Sequence, residues 1–564
     1  MGSAGLDVAQ QERGPKPPER AEGSRHLVVV GLLVVFACSA TVLLLLQSRL
    51  TFVADDWRFL LDRRGLSATV FLDPHNNHIV ILPVSIYKAL LEVFGMSSAL
   101  PFQIVSTGIF LLSNFALFIY LRRRVGDVLA LLGTTMILFL GAAWIDLLWS
   151  FQVSLSGSIA TGLAALLALE RDKQRSDAVA CALLVASVAF SELGVSFALA
   201  ALVSVALGPR PRRNRLYVAL LPLALYAIWF LGWGHKGPDT FSAHNVLVSP
   251  KYVFEAISQA IASLLGLATP LTGSGLQPVG LIWGELLLVT GIVLAVWRLR
   301  QLGQISRALW TALTLGGSFW FLAAVSAYLS YRLPTNGRYQ FPGGVFVLLI
   351  AAELLRGFRP SRQTLLVAAL VTTAAVVSGL FFLDKGYRIQ KAATDTERAR
   401  LAALEIARPD LAEGHKVNLD FFTQFDAGSY FSAVDAFGSP ALTTSQLASS
   451  SEANRADADV MLASLLNISL GEASEAKGLE GARRRCQATG ANSAPGQWAP
   501  LEPGVNWLMP NGPPADLGLA RFADGSAVEL GSLGLRRRGA ITIPRDRSTR
   551  QWRLEVVGPG SVTV

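Results

Sequence analysis

TFVADDWRFLLDRRGLSATVFLDPHNNHIVILPVSIYK, residues 51–88, follows the first long apolar run of the chain and precedes the second. It carries two adjacent carboxylates, Asp55 and Asp56, then His75, Asn76, Asn77 and His78, then Tyr87 and Lys88. No comparably dense set of titratable side chains stands beside any other apolar segment. If the flanking runs cross a bilayer, this stretch is a loop at the membrane surface.

Composition supports that placement. The chain has 564 residues, 52% hydrophobic and 16% charged, with a mean hydropathy of +0.44. A soluble domain carries about 25% charged residues. Apolar runs of roughly 18 residues or more recur, the length a helix needs to cross about 30 Å of hydrocarbon. The expected fold class is an α-helical polytopic membrane protein. The net charge of +9 does not point to nucleic acid, because the arginines cluster at the ends of the apolar runs, as topology signals do. Of three cysteines, Cys38 and Cys181 lie in apolar runs and Cys486 stands alone, so no disulfide framework or CxxC metal site is available. The Ala, Gly and Arg bias suits a high-GC bacterium.

Residues 1–25 read as a disordered tail, rich in Gly, Pro and charge. The first span is His26 to Gln47, too long for a signal-peptide core. Further spans are expected at Pro101–Leu121, Asp127–Ile145 and Phe151–Leu169. Ala178–Gly208 is too long for one span and reads as a hairpin with Glu192 at the turn, because one tilted helix would place that carboxylate in hydrocarbon. Leu216–Trp233 follows, then a longer polar loop, 234–277, whose amphipathic stretch Tyr252–Leu265 is expected to lie on the interface. Pro278–Trp297, Ala308–Leu329, Gly343–Leu355 and Thr364–Leu383 bring the count to about eleven.

The basic loops fall on one side, which the positive-inside rule makes cytoplasmic. The N-terminus is then cytoplasmic. The 48–100 loop, Asp146, Glu192, the Tyr331–Phe341 loop and the C-terminal region face outward. After Leu383 the chain turns polar: residues 384–485 read as mostly helical. Residues 486–564 alternate apolar and polar positions between Gly and Pro turns, the pattern of a small β-sandwich. The expected domains are therefore a tail (1–25), a transmembrane domain (26–383) with its first outer loop at 48–100, an extracytoplasmic helical region (384–485) and a β-rich domain (486–564).

Each motif has a chemical reading and a plain one. Asp55-Asp56 could supply a general base for a hydroxyl acceptor and help hold a divalent cation, or could simply cap a short interfacial helix over Trp57–Arg64. His75 and His78, at i and i+3 before an apolar helix, could bind a metal, orient a phosphate or stabilise a leaving group. Their plain reading is a capped helix start with solvated imidazoles. Arg338, beside Tyr339, could grip phosphate with its planar fork or anchor lipid headgroups. Asp146 and Glu192 could join the site as accessory carboxylates or sit in water.

This combination resembles the GT-C superfamily of membrane glycosyltransferases. The likeness covers residues 27–383 and rests on Asp55-Asp56 just after the first span, on the loop carrying His75 to His78, and on the Arg338-Tyr339 loop. The resemblance implies an inverting enzyme that takes a sugar from a polyprenyl-phosphate donor on the outer face of the bacterial plasma membrane. The acceptor would be an envelope polysaccharide, glycolipid or protein, placing the chain in cell-envelope or cell-wall biogenesis. By resemblance Asp55 is the general base and Asp56 its neighbour. His75, Asn77, His78, Tyr87, Lys88, Arg338 and Tyr339 would handle lipid phosphate or acceptor. Magnesium or manganese could serve as cofactor, with Asp55, Asp56, His75 and His78 the candidate ligands. No WWDYG-like motif is present, which argues against an oligosaccharyltransferase. The competing classes are a transporter or flippase for an envelope glycolipid, which predicts ionisable residues deep in the spans, and a non-catalytic envelope assembly protein, which predicts that Asp55→Asn is tolerated.

Overall fold

The computed structural model describes residues 19–208, 212–236, 242–268, 281–326, 333–419, 424–472, 492–493, 498–534, 538–545, 548–556 and 561–564. Most of the expected N-terminal tail, Tyr331 of the outer loop and Cys486 lie outside them. The first helix, Glu19–Gln47, begins inside the stretch expected to be irregular. Among the described residues six helical segments are long and apolar enough to cross a membrane: His26–Gln47, Leu100–Val125, Asp127–Leu148 (broken after Leu138), Ser150–Leu169 (opening on a 3₁₀ turn), Arg307–Val325 and Arg362–Asp410 (its last three residues a 3₁₀ turn). A chain with this many such segments is a multi-pass membrane protein. The other expected spans are also helical but shorter or less apolar, Leu193–Ala206 and Tyr217–Gly232 among them.

The chain divides into two compact units. The first takes the described residues of Met1–Leu46, Leu72–Leu82 and Val105–Tyr387. Here several helices that follow one another also pack on one another, Val153–Leu169 on Gln174–Phe190 and Ala243–Leu264 on Leu281–Leu302 among them. Gly126, at φ 83°, ends Leu100–Val125 in a conformation that costs glycine nothing and starts Asp127–Leu138. The hairpin around Glu192 is present as Gln174–Phe190 and Leu193–Ala206, with Ser191 extended between them. The 234–277 loop departs from expectation. It holds a 22-residue helix, Ala243–Leu264, which packs against Leu281–Leu302, Arg307–Val325 and Gln340–Leu354 and buries Tyr252, Ala256 and Gln259. At one end, the Arg124 guanidinium donates to Glu353 and Glu170, and Arg215 donates to Asp177 (2.9 Å) and Asp172 (2.6 Å). Buried charges are tolerable when paired in this way.

The expected third span does not run unbroken to Ile145. The helix stops at Leu138, and short turns at Gly141–Ala143, Trp144–Leu148 and Ser150–Gln152 lead into Val153–Leu169. This irregular piece is almost wholly buried. Gly141 and Gly379 meet backbone to backbone with no room for a Cβ on either, so the tightest approach in this unit is also where the helix is interrupted.

The second unit takes the described residues of Gln47–Phe71, Pro83–Ile104 and Arg388–Val564. All of the expected outer loop except 72–82 therefore folds with the C-terminal region. The helix Asp55–Leu61 packs on Ala427–Phe437. Trp57 lies 6.0 Å from both Phe425 and Tyr430, and Phe52 stacks edge-on against Phe102 at 5.0 Å. The composition change after Leu383 is not an end of an element: Arg362–Ala407 is one helix of 46 residues. Beyond it stand, among the described residues, three further α-helices and three antiparallel sheets, the smallest pairing Lys416–Asn418 with Gln424–Asp426. The four-stranded sheet has the order Trp498–Leu501, Trp552–Val556, Ala515–Ala520, Val528–Leu533. The five-stranded sheet runs Leu470–Glu472, Gly539–Ile543, Gly504–Pro510, Val562–Thr563, Asn492–Ser493. Both bury alternate residues, as strands with one covered face do (Leu554 and Val556 in one, Ile541 and Ile543 in the other).

Candidate active site

In the second unit the two adjacent carboxylates have different surroundings. Successive residues at the start of a helix point about 100° apart, so Asp55 is half-buried while Asp56 is 0% exposed. Asp56 accepts the Val53 backbone N–H at 3.0 Å and the phenolic O–H of Tyr87. Tyr87 is itself buried between Phe59 (5.2 Å) and Phe102 (5.0 Å). Lys88, next on the same helix, donates to the Arg63 carbonyl at 2.9 Å, just past the end of Asp55–Leu61. The pair at 87–88 thus braces both ends of the short helix.

The turn that delivers Asp55 is strained. Ala54 has φ 47° and ψ −113°, and the Asp56 N–H bonds the Val53 carbonyl at 3.0 Å. These are the angles of a type II′ turn with alanine where glycine is normal. The cap is not the one expected: Ala54 has no side chain to cap with, and Asp56 reaches back to Val53 instead. Strain of this kind persists where the surroundings over-determine it, and it clusters at functional sites.

In the first unit, His75 and His78 do not begin a helix, and the helical reading of their spacing is corrected. Asn76 (φ 49°) and Asn77 (φ 71°) form a two-residue turn with both φ positive, and His75 and His78 exchange backbone hydrogen bonds of 3.0 and 2.8 Å. That is the type I′ geometry for which asparagine is well suited. The helix begins later, at Ile81. The two imidazoles flank this turn rather than sharing one helix face. His75 is 3% exposed and rests on the Phe151 ring at 5.2 Å, so it is not a solvated imidazole. His78 Nδ1 lies 2.8 Å from the Glu192 carboxylate, which sits at the tip of the helical hairpin.

In the same unit the segment bearing Asp146 packs against the turn bearing Arg338. Asp146 is 3% exposed on the irregular segment. Arg338 is half-buried on the turn Gly337–Tyr339, which packs against Trp144–Leu148. Its backbone N–H is held by Asn336 Oδ1 at 3.1 Å, and its guanidinium lies 5.5 Å from the centroid of the Tyr339 ring. Gln340 donates to the Asn336 carbonyl (3.0 Å) and accepts from Ser263 (3.2 Å), which pins the turn to a neighbouring helix. Among the described residues no group of three or more His, Cys, Asp or Glu side chains is placed to hold a metal ion.

Sequence reading missed Ala54, Phe151 and Glu397, to which Trp57 donates its indole N–H at 3.2 Å. Only the Asn76-Asn77 turn had a readable local signal, two adjacent residues tolerant of positive φ. The others depend on partners far away in sequence.

No protein-family model matches the chain, and no curated protein matches it. Among solved structures the chain is similar to ArnT from Cupriavidus metallidurans bound to undecaprenyl phosphate, at 14% identity and a TM-score of 0.43. That match covers 75% of this chain and 90% of the other. A likeness at this level leaves the function to be carried by the residues themselves.

Proposed function

We propose that the protein is a membrane glycosyltransferase that moves a sugar from a polyprenyl-phosphate donor to an envelope acceptor, with Asp55 as the general base. The observation that carries this reading is the division of labour within the carboxylate pair. A half-buried acid is presented on a strained turn, and its buried neighbour is committed to holding that turn. A structural helix start does not require such an arrangement.

The chemistry follows from the groups. An ionised carboxylate at the first turn of a helix is favoured by the unsatisfied N–H groups there. Asp55 can take the proton of an acceptor hydroxyl as its oxygen attacks the anomeric carbon. The lipid phosphate leaves with the bonding electron pair, and a guanidinium such as that of Arg338 meets its growing charge. Attack opposite the leaving group inverts the anomeric centre. The His75–His78 turn and Tyr339 are assigned to donor or acceptor binding, Glu192 to holding His78. The about eleven spans, the cytoplasmic N-terminus, the outward C-terminal region and the bacterial inner membrane belong to the same proposal.

The test is transfer by purified, lipid-reconstituted protein from a panel of polyprenyl-phosphate sugars, wild type against Asp55→Asn. Turnover by wild type that is lost in a folded Asp55→Asn variant supports the assignment. Equal turnover by both removes Asp55 from the role.

A further inference from the structure

Successive side chains of a strand point to opposite faces of its sheet. In Gly504–Pro510 of the five-stranded sheet, Leu508 is buried and lies opposite Gly539. A Cβ built on Gly539 would lie 3.1 Å from Leu533 of the four-stranded sheet, so this face looks into the core. Trp507 and its alternate neighbours Val505 and Met509 therefore share the other face, where Val505 is 54% exposed. The register sets Trp507 opposite Ala540, and Ala540 opposite Gly471 on the next strand. One row thus crosses three adjacent strands, an indole followed by two of the smallest residues. With strands about 4.8 Å apart, those two leave beside the ring a shallow strip about 10 Å long. Gly471 is exposed, and a Cβ built on it would meet only the Ala540 carbonyl, at 3.6 Å.

Trp507 is half-buried, and among the described residues it stacks on no other ring and its indole N–H has no hydrogen-bond partner. Trp498 of the four-stranded sheet is different, with the Arg553 guanidinium 4.9 Å from its ring centroid. Tryptophan joins a large apolar surface to a polar N–H, which is why it is favoured at interfaces.

The chemistry of the face selects the partner. Val505 pairs with Thr542 and Met509 with Thr563, so none of these positions carries a charge. Phosphate groups, nucleic acids and anionic membrane surfaces are held by cations, and the face offers none. A sugar ring matches what is offered. Its C–H face packs on an indole, and its hydroxyls suit threonine side chains and an unused N–H.

We propose that this face of the five-stranded sheet binds a neutral polysaccharide, with one sugar ring stacked on Trp507 and the next lying over Ala540 and Gly471. Tethering of this kind raises the concentration of the glycan at the protein. Use of the site to hold a polysaccharide acceptor rests on the proposed transfer reaction; the binding itself does not.

The test is equilibrium binding of the full-length protein, in a detergent without a sugar headgroup, to dextran, mannan and galactan, with polygalacturonate as the anionic counterpart. Wild type should bind at least one neutral glycan, and bind it more tightly than polygalacturonate. Trp507→Ala should weaken that binding roughly tenfold. Ala540→Gln, which fills the strip and leaves the indole in place, should weaken it as well, and decides the matter if Trp507→Ala melts early. Trp498→Ala should leave it unchanged. Absence of binding to all three neutral glycans, preference for polygalacturonate, or neutral-glycan binding that survives both Trp507→Ala and Ala540→Gln overturns the proposal. Because no turnover is measured, each of these results leaves the assignment of Asp55 untouched.

Discussion

The indole N–H of Trp57 donates to the carboxylate of Glu397, 3.2 Å away and 340 residues further along the chain. Through this contact, and through the stacking of Trp57 against Phe425 and Tyr430, the short helix that begins with Asp55 is anchored on the C-terminal half of its own unit. The carboxylate pair owes its position to residues at least 340 positions further along the chain. Trp57→Phe keeps the ring packing and removes the indole donor from the buried Glu397. It should cost about 1–3 kcal/mol, read as a lower melting temperature in detergent, whereas the double variant with Glu397→Leu should recover part of that loss.

Asp55 and Asp56 should separate cleanly on substitution. Asp55→Asn is expected to lower transfer by roughly 10²–10⁴-fold with little change in melting temperature. Asp56→Ala removes the carboxylate that Tyr87 and the Val53 N–H both donate to and should lower stability by about 2–4 kcal/mol. Parallel thermal melts and transfer assays check this. Loss of stability in Asp55→Asn comparable to that in Asp56→Ala would contradict it.

Ala54 carries the strain of the turn. Ala54→Gly should raise stability by up to about 1 kcal/mol, since glycine adopts φ 47° without penalty. If the strain helps to fix Asp55, the same change should reduce turnover while the protein melts higher. Steady-state kinetics beside a melt reads both.

The contact between Gly141 and Gly379 admits no side chain. Gly141→Ala or Gly379→Ala forces the backbones apart and should cost about 1–3 kcal/mol or more. Because Gly141 leads into the segment bearing Asp146 and Phe151, each should also disturb ligand binding. Gly317, whose added Cβ meets nothing within 4 Å, is the matched control, and Gly317→Ala should be neutral or slightly stabilising in its helix.

Glu452 governs the acid sensitivity of its corner of the C-terminal region. Its slight burial, which would raise the pKa, is outweighed by the N–H groups of Gly525 (2.7 Å) and Asp524 (3.0 Å) and by Arg455 (2.6 Å), so its pKa is lowered. A lowered folded pKa contributes stability above the unfolded value of about 4.3 that is lost as pH falls through the folded one. Protection against amide exchange over residues 452–455 and 524–525, relative to the intrinsic rate at each pH, should therefore be high at pH 6 and fall below about pH 4.3. In Glu452→Gln that acid-dependent step should disappear.

Hydrophobic run length and flanking arginines, read locally, were enough to mark a multi-pass helical protein, to put a turn at Glu192, and to single out Asp55-Asp56 and the 75–78 stretch, because each depends on neighbours within a few residues. Alternation with Gly and Pro turns likewise marked the strands near the C-terminus. Local pattern misread 75–78 as the start of a helix, since i,i+3 spacing looks the same in a helix and across a two-residue turn, and only the positive φ of Asn76 and Asn77 decides between them. The break after Leu138 was equally invisible, because the segment reads as one apolar run, and the break coincides with the close approach of Gly141 to Gly379, far away in sequence. Above all, the sequence treats Asp55 and Asp56 as equivalent. Which is buried and braced by Tyr87, and which remains half-exposed, depends on contacts with residues as distant as Glu397 and Tyr430, and only the tertiary structure supplies those.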